Sequence, residues 1–256
     1  MPTGAITGYV DVAQIVLYAF WVFFAGLIYY LHRENKREGY PLISDRSARV
    51  TVQGFPPVPK PKTFLLPHGG SVSAPRPETD DRALAADSAG LLRGMPLVPT
   101  GDPMQDALGP AAYALREDQP ELTLDGLPLI APMRVMDGTT VAAEDPDPRG
   151  MAVVGCDGVV GGTVRELWID RSEPQIRYLE LGVGEQGRGV LVPMTLAVVD
   201  RIKRRVVVKS VTAAQMAAAP GIASAEQITK REEDRICAYF ASGHLYATPA
   251  RSEPLL

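Results

Sequence analysis

The sequence predicts a single N-terminal transmembrane α-helix followed by a mainly-β domain that ends in a C-terminal helix. Three observations carry this prediction. Residues Val12 to Leu31 contain no charged side chain. Seventeen of the 23 prolines lie between Pro41 and Pro148. From Met151 onward, short runs rich in Val, Ile, Leu, Trp and Tyr are punctuated by Gly, Pro and Asp.

The apolar run comes first. Twenty residues at ~1.5 Å each make a helix of roughly 30 Å, the thickness of a bilayer's hydrocarbon core. A helix satisfies its own backbone polar groups, as lipid requires. A signal peptide would carry a basic approach and a shorter core, whereas this approach is acidic and the core is full length. A buried helix of a soluble protein would be interrupted along one polar face, and only Gln14 intrudes here. Met1 to Asp11 hold no Lys or Arg, whereas Arg33, Lys36 and Arg37 follow the run. The positive-inside rule therefore places the short N-terminus outside and the bulk of the chain in the cytoplasm. Tyr29 and Tyr30 suit an interfacial aromatic belt, and Gly26 suits either close helix approach or the ordinary glycine content of such spans.

The proline-rich stretch 41–150 has little room for long helices or central strands. Phe55-Pro-Pro-Val-Pro-Lys-Pro-Lys-Thr-Phe64 reads as extended, polyproline-like chain, either a flexible linker or a strap laid across a partner. Phe55, Val58, Phe64, Leu65 and Leu66 favour the strap, since a linker has little use for large apolar groups. Next come six predicted strands: Met151–Val154, Gly162–Asp170, Gln175–Val183, Gly189–Met194, Leu196–Asp200 and Arg205–Ser210. Short turns between them suggest a small antiparallel barrel or sandwich. The last element is a helix, with Ser224 and Gln227 in a capping-box pattern, Ile228, Ile236, Tyr239 and Phe240 at helical spacing, and Gly243 as its stop.

Composition excludes several functions. A formal net charge of −4 argues against nucleic acid as a partner. Cys156 and Cys237 lie far apart and have no metal-type spacing. His32, His68 and His244 form no metal-binding pair, and no nucleophile elbow exists, so an enzyme reading has no nucleophile and base to stand on. Gly182-Val-Gly-Glu-Gln-Gly187 matches a dinucleotide fingerprint literally, but a strand follows it where a helix is required, so a hairpin turn is expected. Among the acids, Asp170 and Glu173 bracket a turn between two predicted strands, and Glu232, Glu233 and Asp234 form an acidic run in the last helix. Most such acids are simply solvated. If a partner buries them, they can hold and pass protons as a coupled set.

Several stretches together resemble the H subunit of the photosynthetic reaction centre of purple bacteria, a PRC-barrel family. They are Phe20-Trp-Val-Phe-Phe-Ala-Gly-Leu-Ile-Tyr-Tyr30, Arg37-Glu-Gly-Tyr-Pro-Leu42, Pro59-Lys-Pro-Lys-Thr-Phe-Leu-Leu-Pro-His-Gly69, Pro99-Thr-Gly-Asp-Pro-Met104, Gly155-Cys-Asp157, Leu191-Val-Pro-Met194 and Glu232-Glu-Asp-Arg-Ile-Cys237. The resemblance implies a periplasmic N-terminus (1–11), one membrane helix (12–31), a proline-rich cytoplasmic strap (32–105), a cytoplasmic domain with a PRC-type antiparallel β-barrel (106–248) and a tail (249–256). The membrane implied is the inner, intracytoplasmic one.

The resemblance also implies a function. Such a subunit is no enzyme and binds no cofactor directly. It caps the light and medium subunits, whose complex carries bacteriochlorophyll, bacteriopheophytin, quinones and a non-haem iron, with membrane lipids and light-harvesting antenna around it. It stabilises the complex and its quinone sites and helps deliver protons to the secondary quinone during light-driven electron transfer. On that likeness Glu173 is the acid beside the proton path and Asp170 its neighbour. Arg177 is a basic residue placed to pair with acids, and Asp125 is a surface acid where protons are taken up. Some members carry histidines just after that last acid, whereas Gly126-Leu127-Pro128 follows here. The alternative is a membrane-tethered PRC-barrel adaptor that docks another protein.

Overall fold

The computed structural model describes residues 4–7, 9–44, 47–76, 80, 82–92, 95–184 and 187–252. The chain forms two compact units. One holds the described residues of Met1–Thr79 and Leu92–Gly94, the other those of Asp80–Leu91 and Met95–Leu256.

In the first unit, helix α1 runs Val12–Glu34, three residues beyond the apolar run. The Asp11 carboxylate caps it by accepting the Gln14 N–H at 2.8 Å. None of its residues is buried. It is long and apolar enough to cross a membrane, and lipid is the solvent that would cover such a surface. Two small hairpins follow, β1 (Leu42–Ser44) with β2 (Ser47–Val52) and β3 (Lys62–Leu65) with β4 (Ser71–Ala74).

The basic flank of the helix ties it to this proline-rich chain. Lys36 is only 4% exposed, and its Nζ donates to the carbonyls of Gln53 and Pro56, both at 2.6 Å. The same ammonium sits 5.0 Å from the centre of the Tyr40 ring. Arg37 grips the Glu34 carboxylate with two N–H groups and donates to the carbonyls of Lys60 and Ala74, both at 2.9 Å. Proline lacks an N–H, so proline-rich chain has carbonyls to spare, and the basic side chains supply the missing donors.

The second unit opens with a hairpin of β5 (Ala86–Ser88) and β6 (Leu97–Pro99). Its sheet uses β7 (Ile130–Pro132), β8 (Ala152–Val154), β9 (Val160–Asp170), β10 (Gln175–Val183), β11 (Arg188–Pro193), β12 (Ala197–Asp200) and β13 (Arg205–Val208). The ladder runs β11-β10-β9-β8-β13-β12, with β7 added beside β9. All six strands expected from the sequence form. Two features differ from the expected antiparallel barrel: β8 and β13 pair in parallel, and among the described residues the ladder does not close. β8 and β13 lie about fifty residues apart, and turn signals report only on strands that are neighbours in the chain. β7 was not anticipated, because its three residues end in a proline. The glycine fingerprint is the β10–β11 turn, with Gly184 and Gly187 at positive φ. Glu185 and Gln186 in it, and 253–256 of the tail, lie outside the described residues.

The core gathers Trp168, Leu167, Leu179, Leu181, Val190 and Leu191 from the sheet with Met216 of helix α2 (Ala213–Ala218). Helix α3 (Lys230–Tyr246) adds Ile236, Tyr239 and Phe240. The cap of α3 is not the expected Ser224 and Gln227. Thr229 and Glu232 form the capping box five residues later, each side chain bonded to the other's backbone N–H. Nor does Gly243 stop the helix. It lies one turn inside, where an added Cβ would run into the Ser210 carbonyl and meet Val211 Cγ1 at 2.6 Å. Its smallness lets α3 approach the chain after β13. Gly243→Ala should therefore destabilise the chain by about 1–3 kcal/mol, the range for overpacking. Thermal melting of the purified chain in detergent, followed by near-UV circular dichroism, would show a fall of several degrees.

Candidate functional site

The turn between β9 and β10 is organised by Asp170. This residue ends β9 and is 6% exposed. Its Oδ1 accepts the backbone N–H groups of Ser172 at 2.9 Å and Glu173 at 3.2 Å, the local pattern by which aspartate builds a turn. Its Oδ2 stands 4.0 Å from Arg177 Nη1. Ile176 pairs with Ile169 and Tyr178 with Trp168, so Arg177 is the extra, unpaired residue of a β-bulge. Bulges re-aim side chains, and this one leaves the guanidinium beside Asp170. Glu173, at the tip, is exposed and accepts weakly from Gln175 Nε2 at 3.4 Å.

Asp125 sits on a separate small hairpin closed by a Leu122–Pro128 bridge. Gly126 after it has a φ of 80°, a conformation that favours glycine. The Asp125 carboxylate is exposed, and among the described residues it has no hydrogen bond or ion pair. The base of its hairpin is stitched to the acid turn. Arg171 donates its backbone N–H to the Leu129 carbonyl and its Nε to the Pro128 carbonyl, both at 2.9 Å. Asp170, Glu173 and Arg177 thus share one turn, and Asp125 is on the neighbouring hairpin without touching them.

The structure separates the members of the acidic run and adds two partners that sequence reasoning did not join to it, Tyr178 and Cys237. The Tyr178 hydroxyl donates to Glu233 Oε2 at 3.1 Å and lies 3.6 Å from Cys237 Sγ. Burial pushes the Glu233 carboxyl above its ordinary range; the Tyr178 hydrogen bond and the charges of Arg177 and Arg116 pull it down, and Glu121 adds to the rise. Burial also raises Cys237 and Tyr178. Arg177 therefore acts on both Asp170 and Glu233. Helical phase could have revealed Glu233, which falls three residues before buried Ile236 and seven before buried Phe240. The acidic run is divided accordingly: Glu232 caps the helix, Glu233 turns inward, and Asp234 pairs with Arg116 at 3.2 Å.

Two further features lie near this turn. Trp168, fully buried, donates its indole N–H to Glu180 Oε2 at 2.9 Å, and Arg134 stands 3.5 Å from Glu180 and 3.7 Å from Glu166. A groove of about 610 Å³, lined by Met133, Val141, Ile169, Ile176 and Met194, continues to Pro174 of the turn.

Two family models match the chain. That of the photosynthetic reaction centre H-chain N-terminal region covers residues 4–135, just over half of the sequence. The chain belongs to the reaction-centre H-chain family. The second match, a PRC-barrel domain over residues 142–215, falls on β8 to β13 and the start of α2. This H-chain is thus a subunit of a photosynthetic reaction centre, and membership implies association with the light and medium subunits. Among the described residues one helix is long and apolar enough to cross a membrane, which suits a single-pass membrane protein.

The raised carboxyl of Glu233 has a consequence for stability. A carboxyl whose folded-state pKa exceeds its unfolded value stabilises the fold below that unfolded value, and the stabilisation is lost as pH climbs through the folded-state pKa. The loss begins near the ordinary value of 4.5 and continues upward. Glu233→Gln, neutral throughout, should melt a few degrees above the wild type at about pH 8 and level with it below 4.5, in melting curves of the full chain across that range.

Proposed function

We propose that this H-chain is the non-enzymatic, pigment-free cap on the cytoplasmic face of the light and medium subunits. It steadies the complex around its quinone sites and passes protons toward the secondary quinone. The N-terminus is periplasmic, the bulk of the chain cytoplasmic, and the membrane the inner, intracytoplasmic one. The bacteriochlorophyll, bacteriopheophytin, quinones and non-haem iron belong to the partner subunits.

The acid turn carries this reading. Asp170 is buried by its own fold, anchored through Oδ1 and left with Oδ2 facing Arg177. Glu173 projects from the same turn with a free face, available for burial by a partner. A carboxylate that becomes buried can hold a proton near neutral pH and release it to a stronger base. Arg177, with Nη1 4.0 Å from Asp170 Oδ2, places a positive charge beside the two acids of the relay. Asp125, on the hairpin bonded to this turn, is the solvent-facing acceptor at the outer end.

The scaffold role rests on the first unit. Phe55, Phe64, Leu65 and Leu66 are all more than 40% exposed on chain held by Lys36 and Arg37. Large apolar groups on such a pinned strap suit the surface of a partner subunit. The PRC-barrel match alone would also fit a tethered adaptor, but the match over residues 4–135 is to a reaction-centre chain and favours the cap. In the intact complex, Glu173→Gln should slow proton-coupled reduction of the secondary quinone after the second flash by roughly tenfold or more while the first electron transfer is unchanged. Equal second-flash kinetics at neutral pH would remove Glu173 from the path.

A further inference from the structure

The chain carries a net charge of −4, yet one hairpin reverses this sign. Between Asp200 and Lys209 there are five cations, Arg201, Lys203, Arg204, Arg205 and Lys209, and Asp200 is the one acid. These residues form the β12–β13 hairpin. The Asp200 Oδ1 accepts the N–H groups of Ile202 at 3.1 Å and Lys203 at 3.0 Å and fixes the turn. Its carboxylate is thereby committed to the backbone, with Arg205 Nε 3.6 Å from Oδ2.

The tip has three properties that packing does not explain. Ile202 is 94% exposed, with cations on both sides in sequence. Arg204 holds a φ of 47°, where glycine or asparagine would be easier, so an arginine is kept there against backbone strain. Among the described residues, Lys203, Arg204 and Lys209 form no salt bridge.

Arg205 also belongs to a hollow of about 390 Å³, lined with it by Lys209, Arg251, Cys156, Val154 and Val207. The guanidinium of Arg251 is pinned there by the carbonyls of Ser210, Gly243 and Lys209 at 2.7, 2.7 and 2.9 Å. The buried Arg205 Nε makes no hydrogen bond and has only the more distant Asp200 carboxylate, at 3.6 Å, as an ionic neighbour. The result is a preorganised, electropositive recess with apolar walls, joined through Arg205 to a basic tip that carries a bare isoleucine.

We propose that the β12–β13 hairpin and this hollow form a binding surface for anionic phospholipid headgroups. The recess takes the phosphate, the exposed cations meet neighbouring headgroups, and Ile202 enters the headgroup–acyl boundary. A nucleic acid or an acidic protein would use the cations but gains nothing from an exposed aliphatic tip ringed by charge, whereas a lipid surface uses both.

The test is amide hydrogen exchange over Arg201–Arg205. The full chain and the assembled complex are placed in phospholipid nanodiscs of phosphatidylcholine alone or with phosphatidylglycerol. Anionic discs should slow exchange at the tip roughly tenfold for the chain and the complex alike. High salt should abolish the effect, since the contacts are charge-driven. The double variant Lys203→Gln/Arg204→Gly should lose most of the protection, with β9 and β10 amides unchanged as the folding control. Equal exchange in both disc types would overturn the proposal. Protection that appears in neutral discs only upon assembly with the partner subunits would assign the surface to a protein and overturn it too. Protection reproduced by inorganic phosphate in neutral discs would assign a free-anion site, with the same consequence.

Discussion

One carboxylate sets the geometry on which the second unit's chemistry depends. Asp170 lies where three strands meet: it ends β9, pairs across to β10 at Gln175 and to β7 at Ile130, and its side chain closes the turn between β9 and β10. A buried carboxylate is costly unless its oxygens are satisfied. Here one oxygen is satisfied by two backbone N–H groups, while the other faces an arginine that a bulge has displaced from the regular ladder. The placement of Glu173, the position of Arg177 and the attachment of the Asp125 hairpin through Arg171 all follow from that arrangement.

The first unit solves a different problem with the same economy of donors. Proline-rich chain cannot saturate its own carbonyls in a ladder, and the residues after a membrane helix are basic for topological reasons. Lys36 and Arg37, basic residues at the end of such a helix, supply donors to Gln53, Pro56, Lys60 and Ala74. The pinned strap keeps its aromatic and leucine side chains outward, as a surface made to be covered by other subunits would.

What could be read from the sequence follows from how local each signal is. The long apolar helix, the six strands and the glycine turn rest on local composition, and all appear in the structure. Asp170 and Glu173 were legible as acids bracketing a turn because Asp-Arg-Ser-Glu-Pro has only a few workable conformations. The parallel β8–β13 pair was not legible, since nothing in either strand names a partner so far along the chain. The bulge at Arg177 was also hidden, because an inserted residue shifts the register without changing the residue types around it. The helix start was misplaced because Ser224-Ala-Glu-Gln and Thr229-Lys-Arg-Glu satisfy the same capping rule, and packing of Ile228 and Ile236 decides between them. Gly243 shows the ambiguity of a helical glycine, which can end a helix or let another element approach it.

Asp170 shapes the turn through its Oδ1 and, in the function proposed above, also serves proton transfer. Asp170→Asn tests it most directly, because the amide oxygen can still accept the Ser172 and Glu173 N–H groups but the side chain can no longer carry or pass a proton. The measurement is the rate of the proton-coupled second electron transfer to the secondary quinone in the intact complex, as a function of pH, beside the complex's melting temperature. The variant should show a slowed transfer with an altered pH profile and a nearly unchanged melting temperature. A wild-type rate at every pH would contradict it.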